Sequence, residues 1–236
     1  MALRDEIIAD IQNVAGTVWD QRAGRQIPAT SDVALAGGAV ELDATFLYAD
    51  LADSSKMAKE LDRRIAAKII KSFLATSARI IRAHKGEVRS FDGDRIMGVF
   101  YGDYRNTSAA KCGLRIAWSV SRIREQFESK YESVRNATFR IAHGTGIDSG
   151  TVLAVRGGAR GSNDLIWIGR PPNLAAKLSD LRESPYKTFI TAAVYNRLND
   201  EAKLATKDKS PMWERRSWTF LDERIVVYRS EWTWAP

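Results

Sequence analysis

A single cysteine in 236 residues rules out a disulfide framework within the chain. Cys112 sits among apolar residues of an expected helix, where a buried structural thiol is the ordinary outcome and a nucleophile the exception. No apolar run reaches the roughly 18 residues that a membrane-spanning helix requires, and the N-terminus lacks the regions of a signal peptide. A cytoplasmic protein with no membrane partner is therefore expected. Internal repeats and a basic tail are also absent. The 36 Lys and Arg outnumber the 29 Asp and Glu, but they are spread along the chain, so the excess suits a nucleoside triphosphate as well as a nucleic acid.

With 44% hydrophobic residues the chain can bury a full core, and its length fits one large domain with an appendage. Residues 1–41 read as an N-terminal helix and linker. The helix runs from Leu3 to about Trp19 with Leu3, Ile7, Ile8, Ile11, Val14 and Val18 on one face, and a Gly-, Ala- and Pro-containing segment follows that reads as a loosely held arm. Residues 42–236 read as the catalytic-size domain. An apolar strand, 44–49, leads into a long helix in which Met57, Leu61, Ile65, Ile69, Phe73 and Ile80 recur at helical spacing up to His84. Two short strands around an Asp-Gly pair signal a hairpin. A helix over about 107–131 and a strand over 138–147 complete the order βαββαβ. This predicts an α+β fold with a ferredoxin-like core, an antiparallel sheet carrying helices on one face.

That topology gives meaning to two carboxylates. Asp50 stands at the end of the first core strand, and Asp94 stands at the hairpin tip. Asp53, Ser54 and Ser55 suffice to cap the following helix, so Asp50 has another task available. Two carboxylates converging at a sheet edge can hold a pair of Mg²⁺ or Mn²⁺ ions with phosphate supplying further ligands. The bland alternative, a cap at Asp50 and a turn residue at Asp94, stays open on spacing alone.

Three motifs narrow the choice. "LYADLADSS", "HKGEVRSFDGDRIMGVF" and "IGRPPNLAAKL" occur in that order, and over about residues 42–228 the chain resembles the class III nucleotidyl cyclases. The resemblance implies conversion of a nucleoside triphosphate to a 3′,5′-cyclic monophosphate and pyrophosphate. It implies that Asp50 and Asp94, with the Leu51 carbonyl, hold two divalent cations, and that the turn at Ala52, Asp53, Ser54 and Ser55 cradles phosphate. Asn173 would position the ribose, and Lys177 would stabilise charge at the α-phosphate. There the family has Arg, and Lys keeps the charge but loses the bidentate fork. A second departure is Gly144, where the family often has the Arg that clamps the triphosphate. Arg140, Arg215, Arg216 and Arg224 are weak candidates for that role.

The base-reading positions also depart from the purine cyclases. Ser90 and Ile166 stand where adenylyl cyclases carry Lys and Asp or Thr, and where guanylyl cyclases carry Glu and Cys. Neither residue offers the hydrogen-bonding groups that select a purine. Tyr48 replaces the usual Phe, and Arg89 and Trp167 could fill purine-sized space. Strict strand alternation would let only one of Arg89 and Ser90 face a given side. These departures resemble the pyrimidine cyclases of the bacterial Pycsar antiphage system, which implies a uridylate cyclase making cyclic UMP, a signal read by a separate effector. A cytidylate cyclase or an adenylyl cyclase of relaxed specificity are the alternatives. In the resembled family each site is built from two protomers, so a homodimer with two composite active sites is implied. The Gly-Gly-Glu-Glu-Phe hairpin of diguanylate cyclases is absent. A nucleic-acid-binding module would need exposed sheet aromatics where this chain puts carboxylates. A nucleotide-binding pseudoenzyme, motivated by Lys177, is the non-enzymatic rival.

Overall fold

A computed structural model describes residues 2–159 and 161–236. The elements are α1 (Leu3–Gly16), β1 (Asp20–Ala23), β2 (Gly38–Leu51), α2 (Ser54–Glu60), α3 (Arg63–Ala83), β3 (Glu87–Asp92), β4 (Arg95–Phe100), α4 (Arg105–Lys130), α5 (Glu132–Arg135), β5 (His143–Ala159), β6 (Ser162–Ile168), α6 (Arg170–Ser179), β7 (Thr188–Thr191), α7 (Ala192–Tyr195), α8 (Asp200–Lys203), β8 (Glu214–Phe220) and β9 (Glu223–Ser230). They divide into two compact units, residues 1–43 with 151–170, and residues 44–150 with 171–236.

The larger unit holds the expected core. The main path of the sheet runs β3-β4-β2-β5-β7-β9-β8, and its first four strands with α3 and α4 reproduce the ferredoxin-like order βαββαβ. The sheet is mixed rather than purely antiparallel, because β5 and β7 pair in parallel. Within β2 the run Ala44–Leu47 is buried without interruption. An apolar strand covered on both faces reads this way, in place of the alternation of a half-exposed strand. Phe46, Phe73, Phe100 and Phe189 are each at most 1% exposed, and burying a side chain of this kind contributes about 1.5–3 kcal/mol.

The structure corrects the sequence expectation in four places. The long helix is two: Leu61 ends α2, and Asp62 caps α3 by accepting from the Arg64 N–H at 2.9 Å. Apolar spacing carried across that break because it reports a buried face and not backbone continuity. The strand expected over 138–147 begins five residues later and extends to Ala159. Helix α1 ends at Gly16 and buries none of its residues. The segment read as a loose arm is anchored: Ile27, Val33, Val40 and Leu42 are buried, and β1 pairs in parallel with the start of β2.

Both histidines of the chain are held neutral in the larger unit. Burial, with help from Arg115 and Lys111, lowers His84 to about 4. Arg115 Nη1 lies 2.9 Å from its Nε2, and a guanidinium can only donate, so Nε2 accepts. Burial lowers His143 to about 3, and its ring lies against Phe73. Below the ordinary value of 6.5 the unfolded chain takes up protons at both positions while the native protein does not. Stability is therefore complete above pH 6.5 and is lost as pH falls toward those native values. The urea midpoint should fall steadily from pH 7 to pH 4.5, and His143→Leu should make that fall shallower; an identical slope in the variant would exclude His143 as a source.

Candidate active site

The pairing of β2 with β4 builds the site. Asp50 is the Cα partner of Arg95, and Asp94 immediately precedes Arg95 in the β3–β4 turn, where Gly93 takes a positive φ of 59°. The two carboxylates are 44 positions apart in sequence, yet the Asp94 charge reaches Asp50. Burial holds the Asp50 carboxyl above its ordinary value, hydrogen bonding and charge from Arg95 oppose this, and the Asp94 charge adds to the rise. One carboxylate oxygen of Asp94, Oδ2, is buried without a hydrogen-bond partner. A buried carboxylate oxygen left unpaired beside a second carboxylate favours a cation. The Leu51 carbonyl adds a neutral oxygen. No cluster of three or more His, Cys, Asp or Glu occurs among the described residues, so a bound Mg²⁺ or Mn²⁺ would draw its remaining oxygens from substrate and water. The residues present fit such an ion.

Two arginines that sequence reasoning missed close around Asp50. Arg95 Nε approaches Asp50 Oδ1 at 3.3 Å, and its Nη2 pairs with Asp180. Arg182 Nη2 donates to Asp50 Oδ2 at 2.9 Å and reaches the Leu51 carbonyl at 3.4 Å. The Asp-Arg adjacency at 94–95 was visible in the sequence. Nothing in the sequence pointed to Arg182, which lies 132 residues from its partner.

The turn after Asp50 differs in detail from expectation. Asp53 occupies the N-cap of α2 in a left-handed conformation, φ 56°, but its side chain caps nothing and instead pairs with Lys56 at 3.1 Å. Ser54 and Ser55 form the first turn of α2. The Ala52 N–H, expected to face phosphate, donates to the Ala142 carbonyl at 2.8 Å. That bond ties the turn to the segment before β5.

Asn173 and Lys177 are exposed on one face of α6, while Leu174, Ala175 and Leu178 bury the other. Tyr48 is half-buried, with its hydroxyl pKa raised by burial. Strict alternation at Arg89 and Ser90 fails, because the pairing shifts between Val88 and Ser90 and leaves Arg89 as the extra residue of a bulge. Arg89 lies 3.6 Å from Glu87. Ile166 and Trp167 lie on β6 in the smaller unit, paired with Val155 and Ala154. Ile166 is half-exposed and Trp167 half-buried. Cys112 is buried, which raises its thiol pKa.

A ferredoxin-like core with one carboxylate at a strand end and a second at the adjoining hairpin tip is the architecture of the class III nucleotidyl cyclases, and solved structures of that class match it. The adenylyl cyclase CyaB from P. aeruginosa superposes with a TM-score of 0.68 at 18% identity, over 81% of this chain and 95% of that one. The guanylyl cyclase Cya2 gives 0.68 at 17% identity, over 83% and 95%. Among curated proteins, the uridylate cyclase of Rhodovulum sp. (strain MB263) is 55% identical over 237 residues, covering 100% of this chain and 99% of its own. The uridylate cyclases of Xanthomonas perforans and Burkholderia cepacia are 39% and 38% identical, each over at least 99% of both chains. The chain belongs to the uridylate cyclase family. No protein-family model matches it.

If Asp94 supplies a metal ligand, Asp94→Asn should weaken Mn²⁺ binding, measured calorimetrically without nucleotide, at least about tenfold, or ~1.4 kcal/mol, with an unchanged circular dichroism spectrum. Unaltered Mn²⁺ affinity in a folded variant would remove Asp94 from the site.

Proposed function

We propose that this protein converts UTP to 3′,5′-cyclic UMP and pyrophosphate with the help of two divalent cations, Mn²⁺ or Mg²⁺. The observation that carries the reading is the full-length likeness to uridylate cyclases, set beside a half-buried Asp50 whose carboxyl is raised in part by the Asp94 charge. When bound, the cations lower the pKa of the ribose 3′-hydroxyl and neutralise charge on the leaving pyrophosphate. Asp50, Asp94 and the Leu51 carbonyl hold them. Residues 53–55 at the start of α2 face the phosphates. Asn173 orients the ribose so that its 3′-oxygen lies in line with the α-phosphate, and Lys177 supplies a point charge to the α-phosphate oxygens. Tyr48, Arg89, Ser90, Ile166 and Trp167 are the residues assigned to the base. With neither Lys nor a carboxylate at positions 90 and 166, a purine edge would be left unpaired.

We also propose that the protein works in the cytoplasm as a homodimer whose two sites each combine Asp50 and Asp94 of one protomer with Asn173 and the base-reading residues of the other. A two-fold dimer makes the two sites equivalent. Cyclic UMP would then act as an antiphage signal sensed by a separate effector.

Incubation with each of the four ribonucleoside triphosphates and Mn²⁺, followed by product identification, should yield cyclic UMP as the main product. Asp50→Ala should reduce turnover at least about 1000-fold, ~4 kcal/mol of barrier. Cyclic AMP or cyclic CMP as the main product would overturn the UTP assignment, and undiminished turnover in the variant would overturn the role of Asp50. In the composite arrangement, Asp50→Ala and Asn173→Ala proteins, each nearly inactive alone, regain activity after subunit exchange, since one site of the mixed dimer carries neither lesion. Demonstrated exchange without recovered activity would exclude that arrangement.

A further inference from the structure

Under the cyclase reading the substrate's triphosphate lacks its usual partner, because Gly144 stands where the resembled family often places an arginine. The space beside Gly144 is filled all the same. A Cβ built at Gly144 would come within 2.5 Å of Arg182 Nη1 and closer still to the Ser179 carbonyl oxygen. The guanidinium of Arg182, carried on the segment after α6, therefore lies over the backbone of β5 where only a glycine leaves it room.

Its contacts fix it there. Nη1 donates to the carbonyls of Ser179 and, at 3.1 Å, Leu181. Nη2 donates to Asp50 Oδ2 at 2.9 Å and reaches the Leu51 carbonyl at 3.4 Å. Three of these four acceptors are neutral, so Asp50 alone offsets the Arg182 charge. Arg95 differs, since it lies between Asp50 and Asp180 and its charge is matched twice. The side chain of Arg182 is 37% exposed, so an incoming anion can reach it. The candidates considered from sequence are less well placed. Arg216 pairs with Glu183, and Arg140, Arg215 and Arg224 are exposed.

We propose that Arg182 binds the β- and γ-phosphates of the substrate, taking over from β5 the clamp that Gly144 cannot supply. The proposal rests on the cyclase reading. A guanidinium presents a planar fork that matches two phosphate oxygens. Arg182 holds Nη2 on Asp50 and the Leu51 carbonyl, the oxygens assigned above to the cations, so cations bound there would take those acceptors and release Nη2 to the phosphates.

Calorimetry separates this role from a merely structural one. Three ligands are compared on the whole protein: inorganic pyrophosphate with Mg²⁺, UMP with Mg²⁺, and Mn²⁺ alone. Arg182→Ala should weaken pyrophosphate binding about 10- to 100-fold, the usual consequence of deleting a charged hydrogen-bond donor, while UMP affinity stays within about twofold and Mn²⁺ affinity does not fall, because Arg182 no longer competes for Asp50. Unchanged pyrophosphate affinity would overturn the proposal. So would a loss of pyrophosphate affinity matched by an equal loss for Mn²⁺, which would mean that Arg182 only orients Asp50. If Arg182→Ala fails to fold, Arg182→Gln, which keeps the stem and an N–H donor, is judged by the same criteria. A wild-type protein that makes no cyclic nucleotide from any triphosphate would refute the cyclase reading, and the pyrophosphate comparison would still decide the role of Arg182.

Discussion

A half-buried carboxylate beside a second carboxylate is an expensive arrangement, and the sheet edge at the β3–β4 turn is organised around meeting that cost at Asp50. Burial and the Asp94 charge both disfavour the ionised form. Arg95 and Arg182 offset them from opposite directions in the chain, one through the β2–β4 register and one through the segment after α6. Removing one partner of such a cluster leaves the other charges uncompensated. The hairpin tip, the end of β2 and the segment following α6 are therefore interdependent, and none can be described without the other two.

Behind this edge the strands are tied together by burial and hydrogen bonds. β2 is covered on both faces, and Thr45 sits in a buried polar trio, with its Oγ1 3.2 Å from Asn106 Oδ1 and 3.0 Å from Ser149 Oγ. Satisfied buried polar groups of this kind fix one arrangement of the strands they join. The Ala52–Ala142 backbone bond extends the constraint to the turn that follows Asp50. Strands tied in this way and delivering charged groups to one edge suit a reaction whose catalysis is mostly positioning and electrostatics.

The smaller unit shows why composition is a poor guide to order. Its Gly-, Ala- and Pro-containing stretch reads as a linker, yet Ile27 and Val33 are buried and β1 pairs with the start of β2. Isolated apolar residues at irregular spacing give no periodic signal, so their burial was invisible to a pattern of period 2 or 3.6.

Much of the fold was legible in the sequence because its signals are local. An apolar strand, an Asp-Gly hairpin and two amphipathic helices each follow from residues a few positions apart, and their order fixes the βαββαβ core. The carboxylates Asp50 and Asp94 were legible for the same reason, being placed by a strand end and a hairpin tip. What only the tertiary structure decided are matters of long-range contact: the break at Asp62, the bulge at Arg89, and the convergence of Arg95 and Arg182 on Asp50. The sequence by itself determined which strand ends carry the acids. Which cations answer them depended on how α6 and the segment after it lie against β5, where Gly144 leaves space that the guanidinium of Arg182 fills, and no spacing rule reaches across the 132 positions between Asp50 and Arg182.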